Sequence, residues 1–387
     1  MHKRNILFLS SWYPNRIKPT HGNFVHQHAI AASLENHVRL IYVCLDDSLH
    51  QSSETVFEQH PFPVYIVYLK KSNLPIVGMI WNYLRMILTY FRMLNQLKRE
   101  GFQPDLIHAN VVYPIGIVAR LLSWKHRIPY IISEHWTCYS SDANPKPSGL
   151  QMSLTRWAAK KATLILPVSE DLATSMKQKG IQTDMNVVYN VIDTDLFVPT
   201  AKSNRELLRL VHVSSLDEVQ KNPALLFRAF SEVHKFHPNI HLDIVSDGDF
   251  SIFQGFIADL GIQSHVTFHG MQTAQGVARI LQQADVFVLS SRFENLPCVL
   301  IEAISCGVPI VSTNVGGIKE IVHNENGMLV PSENQSALVE AINQVILRLE
   351  DYRPEAMHKE AVQLFSYQSI GVKLSNVYQS VRSTYGQ

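Results

Sequence analysis

Cysteine is scarce. Cys44, Cys138, Cys298 and Cys306 are the only four in 387 residues, and no two share the short spacing of a zinc or redox pair. They are expected to be reduced, buried thiols of a cytosolic protein, which excludes a disulfide-stapled secreted scaffold. Long apolar runs are also missing: none reaches the roughly 18–20 residues of a membrane-spanning helix. The opening run in MHKRNILFLSSWYP stops at a Trp/Pro turn, too short for a signal peptide. There is no low-complexity tract or short-period repeat, so a solenoid is excluded. Nor does a G-x-G-x-x-G run follow the first apolar strand, as a nicotinamide-dependent dehydrogenase would require.

Acid is absent from residues 70–99, KKSNLPIVGMIWNYLRMILTYFRMLNQLKR. Six bases lie there (Lys70, Lys71, Arg85, Arg92, Lys98, Arg99) with Trp81, Tyr83, Tyr90 and Phe91. A basic, aromatic, amphipathic helix can lie on an anionic membrane surface, or pack on a core with its arginines solvated. A peripheral membrane contact through 74–99 is one expectation to carry forward.

What the chain does have is an ordinary globular composition, 46% hydrophobic and 17% charged, over a length that predicts two domains. Residues 1–200 hold 20 Lys+Arg against 14 Asp+Glu, and the remainder 14 against 19. A basic half joined to an acidic half fits a cleft between unlike domains, or is drift.

NILFLSS (5–11), HVRLIYVCL, FPVYIVYL, PDLIHAN, PYIISEH and ATLILPVS read as buried strands separated by helices. The pattern restarts after a polar linker, TAKSNRE (200–206), with LRLVHVSS, HLDIVSD, HVTFHG, DVFVLSS and PIVSTN. Such alternation predicts α/β architecture, two Rossmann-like doubly wound domains over 1–195 and 204–365 facing a central cleft. A terminal helix, 366–387, is expected to pack back on the first domain. Ligands of such sheets bind outside the strands' carboxyl ends.

One such end carries SRFENLPCVLIEAISCGVPIV (291–311). A strand closes at Ser290–Ser291, a loop holds Glu294, Asn295 and Leu296, and a helix is expected to begin with Pro297 at its first position. Its free N–H groups and positive end suit phosphate. Glu294 would stand beside that pocket and Glu302 inside the helix, each a paired acceptor suited to hydroxyls, or else merely a helix-end charge and a solvated side chain.

The longer stretch SRFENLPCVLIEAISCGVPIVSTNVGGIKEIV closely resembles the signature of family 4 retaining glycosyltransferases, which have the two-domain GT-B fold. Glu294 and Glu302 fall on its E-x7-E pair, with Pro297, Ala303, Gly307 and Pro309 also matching. Nearly the whole chain follows. SSWYPNRIKPTHGNFV resembles the family's first glycine loop at Gly22, and IISEHWT the segment whose histidine falls on His135. NVIDTDLFVP resembles the family linker, with Val191 where glycine is usual. In VHVSSLDEVQKN, Lys221 matches the family's pyrophosphate lysine, while Ser215 stands where its arginine is usual. A hydroxyl is no substitute for a guanidinium fork.

The resemblance implies a metal-independent hexosyltransferase with no cofactor beyond a nucleotide-diphosphate sugar co-substrate, UDP- or GDP-linked. Donor contacts would come from Gly22, Ser215, Lys221, Asn295, Leu296, Pro297 and Glu302, and His135 and Glu294 would be catalytic. The acceptor would be a glycan or lipid-linked hydroxyl in surface polysaccharide or glycolipid synthesis. No nucleic acid partner is implied, and the location would be cytoplasmic, extending to the inner membrane face. Two D-x-D triplets, Asp193–Asp195 and Asp247–Asp249, have a pattern that holds a divalent metal in the other major glycosyltransferase fold. Their places in a linker and a loop favour structural roles. Rival readings are a GT-B nucleotide-sugar epimerase and a non-catalytic sugar-nucleotide-binding subunit.

Overall fold

The computed structural model describes residues 3–140, 146–201 and 207–381. Most of the expected linker, 202–206, and the end of the terminal segment lie outside the described residues.

The first domain runs β1 (Asn5–Ser10), α1 (Asn23–Glu35), β2 (His37–Asp46), β3 (Ser53–Gln59), β4 (Pro63–Lys70) and α2 (Val77–Arg99). It continues with β5 (Leu106–Asn110), α3 (Ile117–His126), β6 (Tyr130–Glu134), α4 (Gly149–Ala159), β7 (Leu164–Pro167) and α5 (Glu170–Gln178). The second opens with β8 (Leu208–Val213), α6 (Pro223–Phe236), β9 (Ile240–Val245), α7 (Gln254–Asp259), β10 (Val266–Phe268) and α8 (Ala274–Gln283). β11 (Val286–Leu289), α9 (Cys298–Ser305), β12 (Ile310–Thr313), β13 (Gly327–Val330), α10 (Gln335–Leu347), α11 (Pro354–Phe365) and α12 (Tyr367–Ser380) complete it.

The sheets have strand orders β3-β4-β2-β1-β5-β6-β7 and β10-β9-β8-β11-β12-β13. Both reverse direction beside their first strand, the arrangement that opens a crevice at the strand ends. Central strands such as β1 and β5 are buried on both faces, which explains their unbroken apolar runs. β3 departs from the all-parallel expectation by pairing antiparallel to β4. Its SETVFEQ alternates between exposed and half-buried positions, as an edge strand does, so it offered no continuous apolar run to read.

α12 returns to the first domain and lies on α1. Gly371 permits the crossing, because a Cβ there would meet the Ala31 carbonyl oxygen at 2.5 Å. Tyr378 of α12 reaches His108 Nδ1 at 2.8 Å, and His108 Nε2 meets Ser133 Oγ at 2.7 Å. Burial pushes that imidazole down to about 3, so it serves as a neutral link inside the domain. The two crossings between domains run side by side, with Ile192 N–H donating to the Phe365 carbonyl at 3.0 Å. Immediately after it Ser366 caps α12, its hydroxyl accepting from Ser369 N–H.

Candidate functional site

The Glu294 loop is held from every side. Lys221 Nζ donates to Glu294 Oε1 at 2.5 Å, and Ser291 Oγ donates to the same oxygen at 2.7 Å. Gln220 Nε2 reaches the other oxygen at 3.3 Å. Arg292 fixes the facing loop: its amide donates to the Gln220 carbonyl, and its guanidinium binds the Glu218 carbonyl and Glu333. Gly316, at φ +57°, packs so tightly that a Cβ would meet the Glu294 carbonyl oxygen at 2.0 Å. Pro297 corrects the expectation for the helix start. At ψ 121° it is the N-cap, and Cys298 is the first helical residue. The physical reason is the same, since neither position needs the N–H that proline lacks. Cys298 and Val299 are the first two residues of α9, so their amides lie at its positive end.

One α9 turn on, Glu302 is half-buried and lines a cavity of about 610 Å³. Pro19, Thr20, Asn23 and Gln27 of the first domain form one wall; Ser214, Ser246, Asp247, Thr273 and Val299 of the second form another. Among the described residues no side chain pairs with the Glu302 carboxylate, and burial pushes it up to about 7. The folded protein therefore binds that proton more tightly than the unfolded chain, whose carboxyl titrates near its ordinary value. Stability is lost as pH rises from that range through about 7. Glu302→Gln is accordingly expected to raise the Tm at pH 8 by about 2–4 °C, with little change at pH 4, by differential scanning calorimetry.

Across the cleft, His135 follows β6. Glu134, fully buried, sets its backbone: one carboxylate oxygen accepts from the His135 and Trp136 amides, the other from Val112 N–H and Tyr139 Oη, all within 2.9 Å. The His135 ring lies 4.3 Å from Phe24 and 5.2 Å from His28, centroid to centroid. Both ring nitrogens are buried, and the Asn190 side chain is the hydrogen-bonding group beside them. Burial and the neighbouring His28 hold it well below the usual imidazole range, so it is neutral and able to donate from one nitrogen and accept at the other. The domains meet here: Asn295 Nδ2 donates to the His135 carbonyl at 2.6 Å, and Asn190 Nδ2 to the Leu296 carbonyl at 2.6 Å.

His135, Glu294, Asn295, Leu296, Pro297, Lys221 and Glu302 thus gather at one cleft, joined by Gly22. That glycine, at φ +73°, starts α1, and a Cβ on it would strike the Trp12 carbonyl carbon at 2.4 Å. Ser215 is exposed and presents its carbonyl oxygen to Gly248, while its neighbour Ser214 lines the cavity. Asp193 and Asp249 accept backbone amides in local turns, whereas Asp247 accepts from Thr20 Oγ1 across the cleft at 3.0 Å. Val191 is buried and takes none of the left-handed conformations, so the linker turns without a glycine. Cys44 and Cys298 are only half-buried, unlike Cys138 and Cys306.

Sequence reasoning missed three groups. Glu134 sat next to His135 but carried no visible role, because its four donors, the His135, Trp136 and Val112 amides and the Tyr139 hydroxyl, converge only in the folded chain. Asn190 lies in the linker motif. Glu320, within the quoted GGIKEIV, accepts the Glu170 and Asp171 amides at 2.9 Å each and so caps α5 of the other domain.

Paired Rossmann-like domains with their polar site between the strand ends define the GT-B class of glycosyltransferase. Two family models, "Glycosyltransferase Family 4" over residues 24–196 and "Glycosyl transferases group 1" over 208–348, match most of the chain. The chain belongs to glycosyltransferase family 4. It is 25% identical over 355 residues to TuaC of Bacillus subtilis strain 168, assigned to teichuronic acid biosynthesis as a glycosyltransferase, covering 87% of this chain and 88% of that one. To the N-acetyl-alpha-D-glucosaminyl L-malate synthase of Bacillus anthracis it is 26% identical over 309 residues, covering 75% and 78%. In fold it resembles Anabaena Alr3699/HepE in complex with UDP, with TM-score 0.75, 22% identity and coverage of 97% and 100%.

Proposed function

We propose that this glycosyltransferase moves a hexose from a nucleoside-diphosphate sugar to an acceptor hydroxyl with retention of anomeric configuration and without a metal. The observation that carries the reading is the arrangement at α9: Lys221 and Glu294 paired at its start, unpaired Glu302 on its second turn, and neutral His135 across the cleft. The UDP complexes of HepE, a neighbour in fold, support a nucleotide in the Glu302 cavity.

In this reading Lys221 spends one ammonium proton on Glu294 and keeps two for the diphosphate, assisted by the positive end of α9. Glu302 accepts from the ribose hydroxyls and Glu294 from the hexose. His135 bonds a sugar hydroxyl or the departing phosphate. The bond from the anomeric carbon to the leaving phosphate oxygen breaks, the acceptor oxygen bonds that carbon on the same face, and the acceptor proton passes to the phosphate. Glu294, already held by Lys221 and Ser291, positions the sugar and does not attack it. Domain closure excludes water, which would otherwise hydrolyse the donor. The acceptor is a glycan or lipid-linked hydroxyl, in surface polysaccharide or glycolipid synthesis, reached from the cytoplasm with a peripheral membrane contact through 74–99.

A thermal-shift panel of UDP-, GDP- and ADP-sugars selects the donor, and proton NMR of the fresh product reads the anomer. Retention supports the mechanism and inversion removes it. Because ribose hydroxyls favour the charged Glu302, donor affinity is expected to fall up to about tenfold per pH unit below about 7. Glu302→Gln should flatten that profile in calorimetric titrations.

A further inference from the structure

α2 begins with an apolar tip that the protein leaves uncovered. Leu74, Ile76, Val77, Met79, Ile80, Trp81, Leu84 and Leu88 are all exposed, Ile76 at 73%. The tip is nonetheless a fixed shape. Asn82 clamps Ser72 through two hydrogen bonds, its Oδ1 accepting from the amide at 3.0 Å and its Nδ2 donating to the carbonyl at 3.1 Å. Gly78 packs on the same serine, where a Cβ would lie 2.9 Å from Oγ.

At about 100° per residue, the exposed apolar side chains from Ile76 to Leu88 cover an arc of about 200°. A protein partner covers one stripe of a helix, about 100° wide. An arc of more than half the circumference calls for a medium that flows around it. Charge points to the same occupant. Bases follow the tip and no acid does within α2: Arg85 begins about 13 Å behind Ile76, and Arg92 and Arg99 are exposed further along. Arg85 donates to the Lys70 and Ser52 carbonyls, and among the described residues no carboxylate pairs with its charge. An apolar insertion of that depth behind which a cationic collar stands matches the layering of an anionic leaflet, acyl chains beneath phosphate. The tip also stands at the carboxyl edge of the first sheet, where an apolar cavity of about 540 Å³ runs from Leu74 and Ile76 to Pro114.

We propose that the α2 tip is a wedge that inserts into an anionic phospholipid leaflet, holding the acceptor side of the cleft at the membrane face. This deepens the lipid-linked acceptor reading above, but the insertion itself does not depend on it. The test uses the full chain with phosphatidylcholine vesicles, with and without phosphatidylglycerol, in sedimentation and in tryptophan quenching by brominated acyl chains. Binding to the anionic vesicles is expected, with quenching lost in Trp81→Phe. Ile76→Asp/Ile80→Asp, both at exposed positions, should weaken binding by at least about tenfold, and Arg92→Glu should weaken it in a salt-dependent way. No binding to either vesicle, or equal binding by the double variant, overturns the proposal. So does a concentration-dependent dimer that the double variant abolishes, since a second copy would then cover the tip. Nucleoside diphosphate affinity, measured in parallel on the same variants, should be unchanged. Its absence in every variant, wild type included, would count against the transferase reading and leave the wedge standing.

Discussion

Glu294→Gln is expected to lower kcat/KM for sugar transfer by about 10²–10³ while the protein stays folded. The carboxylate sits where the loop, the Lys221 ammonium and the Ser291 hydroxyl converge, with bonds of 2.5 and 2.7 Å. Glutamine keeps the shape and one acceptor oxygen, so Ser291 and Gln220 can still find partners. What it removes is the negative charge that orients both the lysine and, on this account, the hexose. An interaction strengthened in the transition state appears in kcat, whereas uniform binding appears in KM alone. A fall confined to KM would show that Glu294 only anchors the donor. Steady-state kinetics with the selected donor, beside a melting curve, separates these outcomes.

Lys221→Met is expected to do two kinds of damage that can be told apart. Glu294 is buried, and removing its cation leaves an uncompensated carboxylate at a cost of about 3 kcal/mol. The variant should therefore melt lower than Glu294→Gln. Adding Glu294→Gln to it removes the stranded charge, so the double variant should recover much of the stability. Function should not recover if, as proposed, Lys221 carries the electrostatic load that an arginine at 215 would share. Diphosphate affinity should fall by about 10-fold or more while monophosphate affinity changes little. If stability and diphosphate binding recovered together in the double variant, Lys221 would be a counter-ion to Glu294 and nothing more.

The two predictions rest on residues that were legible in different ways. β1, β5, β6 and β11 announce themselves as continuous apolar runs because parallel strands are buried on both faces. β3 does not, because an antiparallel edge strand with one half-buried face has no such run. The E-x7-E pair and Lys221 were readable through the family resemblance, since spacing alone left Glu294 and Glu302 equally readable as a helix-end charge and a solvated side chain. Glu134, Asn190 and Glu320 were not, since each acts by accepting or donating to backbone groups that only the folded chain brings near. Ser215 was marked for the donor by its place in the motif, and the fold adds that it is exposed with its carbonyl against Gly248.

The most direct test of the account is a calorimetric titration of the full chain with the nucleoside diphosphate and monophosphate of the selected donor. The account predicts one site per chain, with the diphosphate at least about tenfold tighter and that margin gone in Lys221→Met. Equal affinity for the two nucleotides in the wild type, or no binding of UDP, GDP or ADP, would contradict it.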